Sequence, residues 1–217
     1  MIALQYHEVK IILQIANAEA GARSWDNSGI STLTSLKLYA DYIYLDTDER
    51  RRFAQVSHEY LIEQVQNINV QIGNFSNKKI NLTFNHPVKE LIWIGIPGSA
   101  AVAAGPSTPT TINTGNTYQL KLNGHDRFSR RKGNYFNWVQ PYQHHTNVPA
   151  TGINVYSFAL KPEEHQPSGT CNFSRIDNAN LNLTVSTITA SANLYIFATN
   201  YNVLRVMSGM GGLAYSN

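Results

Sequence analysis

Cysteine is nearly absent: Cys171 stands alone among 217 residues, which excludes an intramolecular disulfide framework and a cysteine-based zinc site. Charge is scarce too. Asp, Glu, Lys and Arg make up 14% of the chain, against about 25% in an average soluble protein. Seventeen basic and fourteen acidic residues leave a net charge of +3, too weak a field to point to a nucleic-acid partner. No stretch approaches the ~18 uncharged apolar residues of a membrane-spanning helix; the most apolar window, residues 91–104, is broken by Pro97 and Gly98. The opening MIALQYHEVK has no basic n-region and no small-residue cleavage site, so no secretory signal is read, and an intracellular, reducing setting is expected. A strand signal begins at once, at Ile2, which suggests a fragment or a reading frame opened at an internal methionine.

What remains is polar-uncharged and aromatic. Asn, Thr, Ser and Gln fill the place of charge, and 11% of residues are aromatic. Charge is concentrated in residues 41–63, absent from 91–120, and reduced to Arg205 alone in the last forty residues. Forty residues with one charge cannot all be solvated, so core strands and a subunit interface are expected there. Strand signals dominate, at residues 3–13, 36–45, 79–84, 90–96, 117–122, 153–160, 180–185 and 192–206. In NLNLTV, residues 180–185, Leu181, Leu183 and Val185 share one face, the period-two pattern of a half-buried sheet. The reading is all-β. Two helices are expected, one over 48–66, with acids at its start and Phe53, Val56, Tyr60 and Ile62 loosely periodic, and a short one over 135–139 ending before Pro141. Residues 97–116 read as a long small-residue loop of the functional or interface-forming kind. A weak repeat, Ser-x-x-Leu-Tyr, opens at Ser35 and Ser191 and hints at two copies of one β-unit.

Four phrases carry a family resemblance: YIYLDTDERRRFAQVSHEYLIEQVQ (42–66), FNHPVKELIWI (84–94), GINVYSFALKPEEHQPSGTCNFSRIDNANL (152–181) and NYNVLRVMSGMGGLAYSN (200–217). They resemble the major capsid proteins of nucleocytoplasmic large DNA viruses, of the chlorella virus, iridovirus and mimivirus type. The resemblance implies a double jelly-roll protein, three copies of which form a pseudo-hexagonal capsomer that tiles an icosahedral shell. Family members are roughly twice as long. On this reading residues 1–45 are the closing strands of a truncated first jelly roll, 46–66 a connector with a short helix, and 67–217 a complete second jelly-roll β-sandwich with short helices in its loops.

The residues that could carry chemistry read as structural. His144 and His145 are neighbours, and adjacent side chains on extended backbone point to opposite faces; His165 lies apart from them. A cupin-type site would need a His-x-His pair with a nearby Glu, which HHTNVPATG lacks. His58–Glu59 opens like a zincin helix but meets Ile62 where a histidine is required. Glu163 and Glu164 sit in a turn, KPEEHQPSG, and read as solvated. No G-x-S-x-G elbow occurs, and Gly209, Gly211 and Gly212 lack dinucleotide-binding spacing; this tail is expected to pack along a partner or beneath the sandwich. Arg50, Arg51 and Arg52 form a basic run cancelled by Asp46, Asp48 and Glu49, and HDRFSRRK, residues 125–132, reads as a basic loop able to meet a neighbouring subunit or inner-shell component. Asn74, Asn81, Asn172 and Asn182 match glycosylation sequons that composition alone accounts for.

The function expected is therefore that of a structural virion protein, not an enzyme. No catalytic, cofactor-binding or metal-ligating residue is assigned, and no cofactor. Partners are further copies of the chain, as homotrimers and then capsomer contacts, with minor capsid proteins possible; no direct nucleic-acid contact and no membrane insertion are expected. Two rivals remain. A lectin-like sandwich would stack sugars on Trp93, Trp138 or the tyrosines and needs an exposed aromatic. A degenerate cupin would need three His or Glu side chains converging inside the barrel. Trp93, Phe158 and Leu183 are expected to face the core.

Overall fold

The computed structural model describes residues 2–13, 36–72, 77–97, 116–185 and 192–216. Both serines of the Ser-x-x-Leu-Tyr repeat, and all but the ends of the loop 97–116, lie outside them. The described elements run α1 (Thr47–Gln55), β1 (His58–Ile72), β2 (Asn77–Asn81), β3 (Pro87–Pro97), β4 (Thr117–Leu122), β5 (His125–Lys132), a π-helical turn (Tyr135–Val139) continuing into α2 (Gln140–His144), β6 (Ile153–Ser157), β7 (Cys171–Asn172), a 3-10 turn (Phe173–Arg175), β8 (Ala179–Thr184), β9 (Ala192–Met207) and β10 (Met210–Leu213). They fall into two compact units, Met1–Leu61 with Val203–Ser216, and Ile62–Asn202. β1 and β9 contribute residues to both.

The larger unit is a two-sheet sandwich. One sheet has the order β1-β9-β3-β6, with β7 on β3; the other has β2-β8-β4-β5. Strands distant in sequence lie side by side, as in a jelly roll. Alternation explains which residues face inward: Leu181 and Leu183 of β8, Tyr118 and Leu120 of β4, and Leu194, Ile196 and Ala198 of β9 are all buried. β3 breaks strict alternation. Its register slips between Val88 and Glu90, and this bulge puts Val88 and Leu91, three apart, into the core together. Trp93 meets Tyr118 at 5.2 Å and Phe136 at 5.1 Å, and the contacts continue through Phe128, Tyr156, Phe158 and Phe173 to Phe84. Trp93 and Leu183 face the core as expected, and Phe158 packs half-buried against it.

Three expectations from the sequence are corrected. The helix of 48–66 stops at Gln55. Asp46 caps it by accepting the Thr47 N–H at 2.7 Å, and none of its residues is buried. From His58 the chain is strand, because from Ile62 to Ile72 alternate residues turn inward. Two of these are polar, and both bind amides of β9: Asn202 donates to Gln64 Oε1 at 3.0 Å, and Gln66 donates to Asn200 Oδ1 at 3.0 Å. Second, the short helix does not end before Pro141. The Gln140 N–H closes the π-helical turn on the Tyr135 carbonyl, and the chain runs on through Pro141 into α2. Third, residues 125–132 form strand β5. Asn123 and Gly124, both at positive φ, make the two-residue turn that joins it to β4.

In the smaller unit, residues 3–13 and 36–45 read as strands in sequence but carry no ladder pairing among the described residues. The C-terminal segment folds back as β10 on β9, with Met210 opposite Met207 and Leu213 opposite Leu204. It is a hairpin rather than a trailing tail. Gly209 turns it at φ +79°, and the Tyr6 N–H donates to the Gly209 carbonyl at 2.9 Å. A Cβ at Gly209 would lie 2.6 Å from the Tyr6 ring.

Candidate interaction surface

The histidines go to different partners. His144 Nδ1 donates to the Leu160 carbonyl at 3.0 Å. His145 sits between two carboxylates, with Nε2 3.3 Å from Glu90 Oε2 and Nδ1 3.2 Å from Glu163 Oε1. Glu163 also accepts the Thr146 N–H at 3.0 Å, and Glu90 accepts the Thr199 hydroxyl at 3.2 Å. Contact with Glu90 is the largest cause raising the His145 pKa; Glu163 adds to it, and partial burial opposes it. The Thr146 contact, with a smaller part from His145, lowers that of Glu163. Glu163 is thus an internal ion-pair partner rather than a free loop carboxylate. Its neighbour Glu164 pairs with Lys161 at 2.8 Å, and His165 is exposed. The two nitrogens of the His145 ring face in different directions, each toward its own carboxylate, so the three side chains do not converge on one point. Among the described residues no group of three or more His, Cys, Asp or Glu side chains is placed to hold a metal ion.

The other candidates also resolve into structure. His58 opens β1, its Nε2 donating to the Phe53 carbonyl at 2.9 Å, while Glu59 pairs with Arg205 at 2.7 Å. Ile62 follows on a strand, not a helix, so the zincin spacing has no geometry to serve. Arg50, Arg51 and Arg52 lie on the exposed surface of α1. Cys171, in β7, is half-buried, and burial raises its thiol pKa. Of the sequons, Asn81 is exposed at the end of β2, Asn172 caps the 3-10 turn by accepting the Ser174 N–H at 3.1 Å, and Asn182 donates to Gln119 within the sheet at 3.4 Å; Asn74 lies outside the described residues. No described helix is long and apolar enough to cross a membrane.

What the surface does present is apolar contact area. In the sandwich unit Trp93 is 1% exposed and Trp138 54% exposed; Trp138, Val139, Tyr142 and Val148 line a shallow depression on the helical turn. Gln143 is the one polar residue lining it, which suits another apolar surface better than the hydroxyls of a sugar. In the smaller unit Leu38, Tyr39, Tyr42, Ile43 and Tyr44 are all more than three-quarters exposed. Patches of this kind mark protein contact sites. Sequence alternation could not separate them from core strands. Trp138, three residues from Pro141 in a helical turn, was the nearest signal.

Residues 49–212 match the family model described as large eukaryotic DNA virus major capsid protein. The chain is 54% identical to the major capsid protein of Pyramimonas orientalis virus, over all of this chain and 57% of that protein. It is 44% identical to that of Paramecium bursaria Chlorella virus 1, over all of this chain and 62% of that protein. A quasi-atomic model of the PBCV-1 virus capsid superposes with a TM-score of 0.69 at 42% identity, covering 81% of this chain and 56% of the other. The chain therefore spans about three-fifths of the length of these curated relatives. The sheet order of a jelly roll and a family match that runs from α1 into β10 lead to one assignment: the chain belongs to the major capsid protein family of large eukaryotic DNA viruses.

Proposed function

We propose that the chain is a structural component of a virion shell, corresponding to the second jelly roll of a double jelly-roll capsid protein, with no catalytic role. The observation that carries this is the jelly-roll sandwich lying within the family match at 49–212. Residues 1–45 are the closing strands of a first roll, 46–66 the connector that holds α1, and 67–217 the second roll. Support for the first of these is physical: 3–13 and 36–45 have strand sequence, expose most of their apolar side chains and lack sheet neighbours among the described residues. β1 begins within the connector. Assembly proceeds through homotrimers, which would present six jelly rolls in a pseudo-hexagonal capsomer if each chain supplied two, and then through capsomer contacts and minor capsid proteins.

The test is assembly state. The chain as given supplies one complete roll per copy, so light scattering should find trimers at most, and electron microscopy no closed shells. Regular hexagonal capsomers or icosahedral particles from this chain alone would overturn the assignment of residues 1–45 as an incomplete roll. A chain extended upstream by a first roll should form them.

A further inference from the structure

We propose that the outer edge of β5 is a docking strand for an acidic, extended peptide segment of another protein. The inference does not depend on the shell assignment. β5 is the last strand of its sheet and β6 the last of the other, but their outer edges differ. The β6 edge is closed by the helical turn: Asn137 donates to the Ile153 carbonyl at 2.7 Å, and Gln140 accepts the Ser157 N–H at 3.2 Å. β5 has no strand on its outer side among the described residues, and a groove runs between it and the β6 wall, lined by Arg127, Arg131, Tyr135, His144, Tyr156 and Phe158 among others.

The groove is basic for a specific reason. Tyr118 and Leu120 of β4, two apart, pair with Arg131 and Phe128 of β5, three apart. The extra residue is a bulge, and it turns Arg131 to the same side as Phe128, toward the groove. Arg131 lies 4.5 Å from the centre of the Tyr135 ring, and Arg127 lies 5.9 Å from that of Phe158. A guanidinium stacked on a ring keeps its N–H edge available for a carboxylate; Arg127 spends part of its edge on a hydrogen bond to the Tyr156 hydroxyl and has further N–H donors to offer. Neither arginine has a carboxylate within ion-pair distance among the described residues. The one acid of the strand, Asp126, is engaged by Lys121 at 3.4 Å and Gln119 at 2.8 Å. Open main-chain edge, two guanidiniums four residues apart and aromatic rings beneath them match one ligand class: a strand bearing acids with apolar residues between. A phosphate or a nucleic-acid backbone would use the arginines and leave the strand edge and rings unused.

The probe is a fluorescent heptapeptide of alternating Glu and Val, titrated against the full chain by fluorescence anisotropy at about 0.1 M salt, where charge screening is moderate. Binding is expected to weaken on the order of tenfold in Arg127→Gln and again in Arg131→Gln, with unfolding midpoints unchanged, and to weaken with added salt. Alternate N-methylation of the peptide, which keeps its charge but blocks strand pairing, should abolish it. Equal binding of the Gln-Val peptide or of the methylated peptide would overturn the proposal. So would tighter binding of a single-stranded oligonucleotide, or no binding at all, which would leave the charges as a guard against edge-to-edge pairing of copies.

Discussion

Residues 36–45 and the first residues of β9 are written in nearly the same alphabet and end in opposite states. LKLYADYIYL and ANLYIFATNY both alternate, and both carry the Leu-Tyr pair that seeded the weak repeat. In β9, Leu194, Ile196 and Ala198 are buried, with β1 on one side and β3 on the other. In 36–45, Tyr44 is 91% exposed and, among the described residues, no strand lies alongside. Alternation describes a face that can be buried; burial itself needs neighbours that a local pattern does not encode. A pair of strands without a sheet is at best marginal in water, so the segment stays unpaired and uncovered among the described residues. The comparison also locates stability. It resides in the sandwich, where aromatic side chains touch one another across two sheets.

The sharpest way to break that comparison is at Trp93. Trp93→Ala removes the ring that meets both Tyr118 and Phe136 and should cost about 3–5 kcal/mol, read as a lowered urea midpoint. Tyr44→Ala, the same kind of change in the uncovered stretch, should fall within about 0.5 kcal/mol of zero. Equal effects would mean that 36–45 is covered in solution. A middle case is Lys89, whose ammonium lies 2.7 Å from Glu63, the two side chains 4% and 34% exposed. Losing one partner of a fully buried pair costs about 3–5 kcal/mol. Water reaches Glu63, so Lys89→Met should cost less, about 1–3 kcal/mol, and adding Glu63→Gln should recover part of it.

Much of the sandwich was legible, and what was not has identifiable causes. β4, β8 and β9 are found within a residue or so of their expected bounds, because each has one apolar and one polar face and Asn, Thr or Gly nearby. β1 was hidden because its inward positions include Gln64 and Gln66. Amides read as surface in sequence, yet they are satisfied here by Asn202 and Asn200, more than 130 residues away. β5 was hidden because an edge strand needs only one inward apolar residue, Phe128, and charges its remainder; the Asn123-Gly124 turn was the signal that could have found it. At the candidate surface the sequence separated His144 from His145 on the premise of extended backbone, whereas His144 is the last residue of α2 and only His145 is extended. The sequence could not show that Glu90 and Glu163, 73 residues apart in the chain, would meet on His145.

That meeting predicts a pH dependence of modest size. His145 is held above its ordinary 6.5, with Glu90, Glu163 and the Thr199 hydroxyl around the contact. A raised value means the charged form is favoured in the folded state, so the stabilisation is complete below about 6.5 and is lost as pH rises through the raised value. Glu163 runs the other way: held below its ordinary 4.5, it contributes above that pH and loses its contribution as pH falls through the lowered value. Thermal unfolding should therefore show a shallow maximum between the two, with protection of the Thr146 amide, relative to its intrinsic exchange rate at each pH, greatest there. His145→Gln should flatten the alkaline side and Glu163→Gln the acid side. A wild-type profile with no slope above pH 6.5 would show that the ion pair does not persist in solution.

The smallest effect on stability is expected from the largest deletion. Removing residues 1–45 takes away no buried apolar side chain among the described residues, and the sandwich of residues 62–202 keeps both sheets. Its urea midpoint should stay within about 0.5 kcal/mol of the parent, as for surface changes. Solubility should change far more than stability does. The deleted stretch carries Tyr39, Tyr42, Ile43 and Tyr44 exposed and outside any described helix or strand, and an unpaired segment of strand-forming sequence recruits other edges, including those of further copies. The shortened chain should stay monodisperse at concentrations where the parent aggregates, as light scattering across a dilution series would show. A lowered midpoint would overturn the contrast, because residues 1–45 would then be supplying burial that the sandwich needs; equal aggregation of both chains would instead place the sticky surface on the sandwich itself, where Trp138 and Tyr142 are exposed.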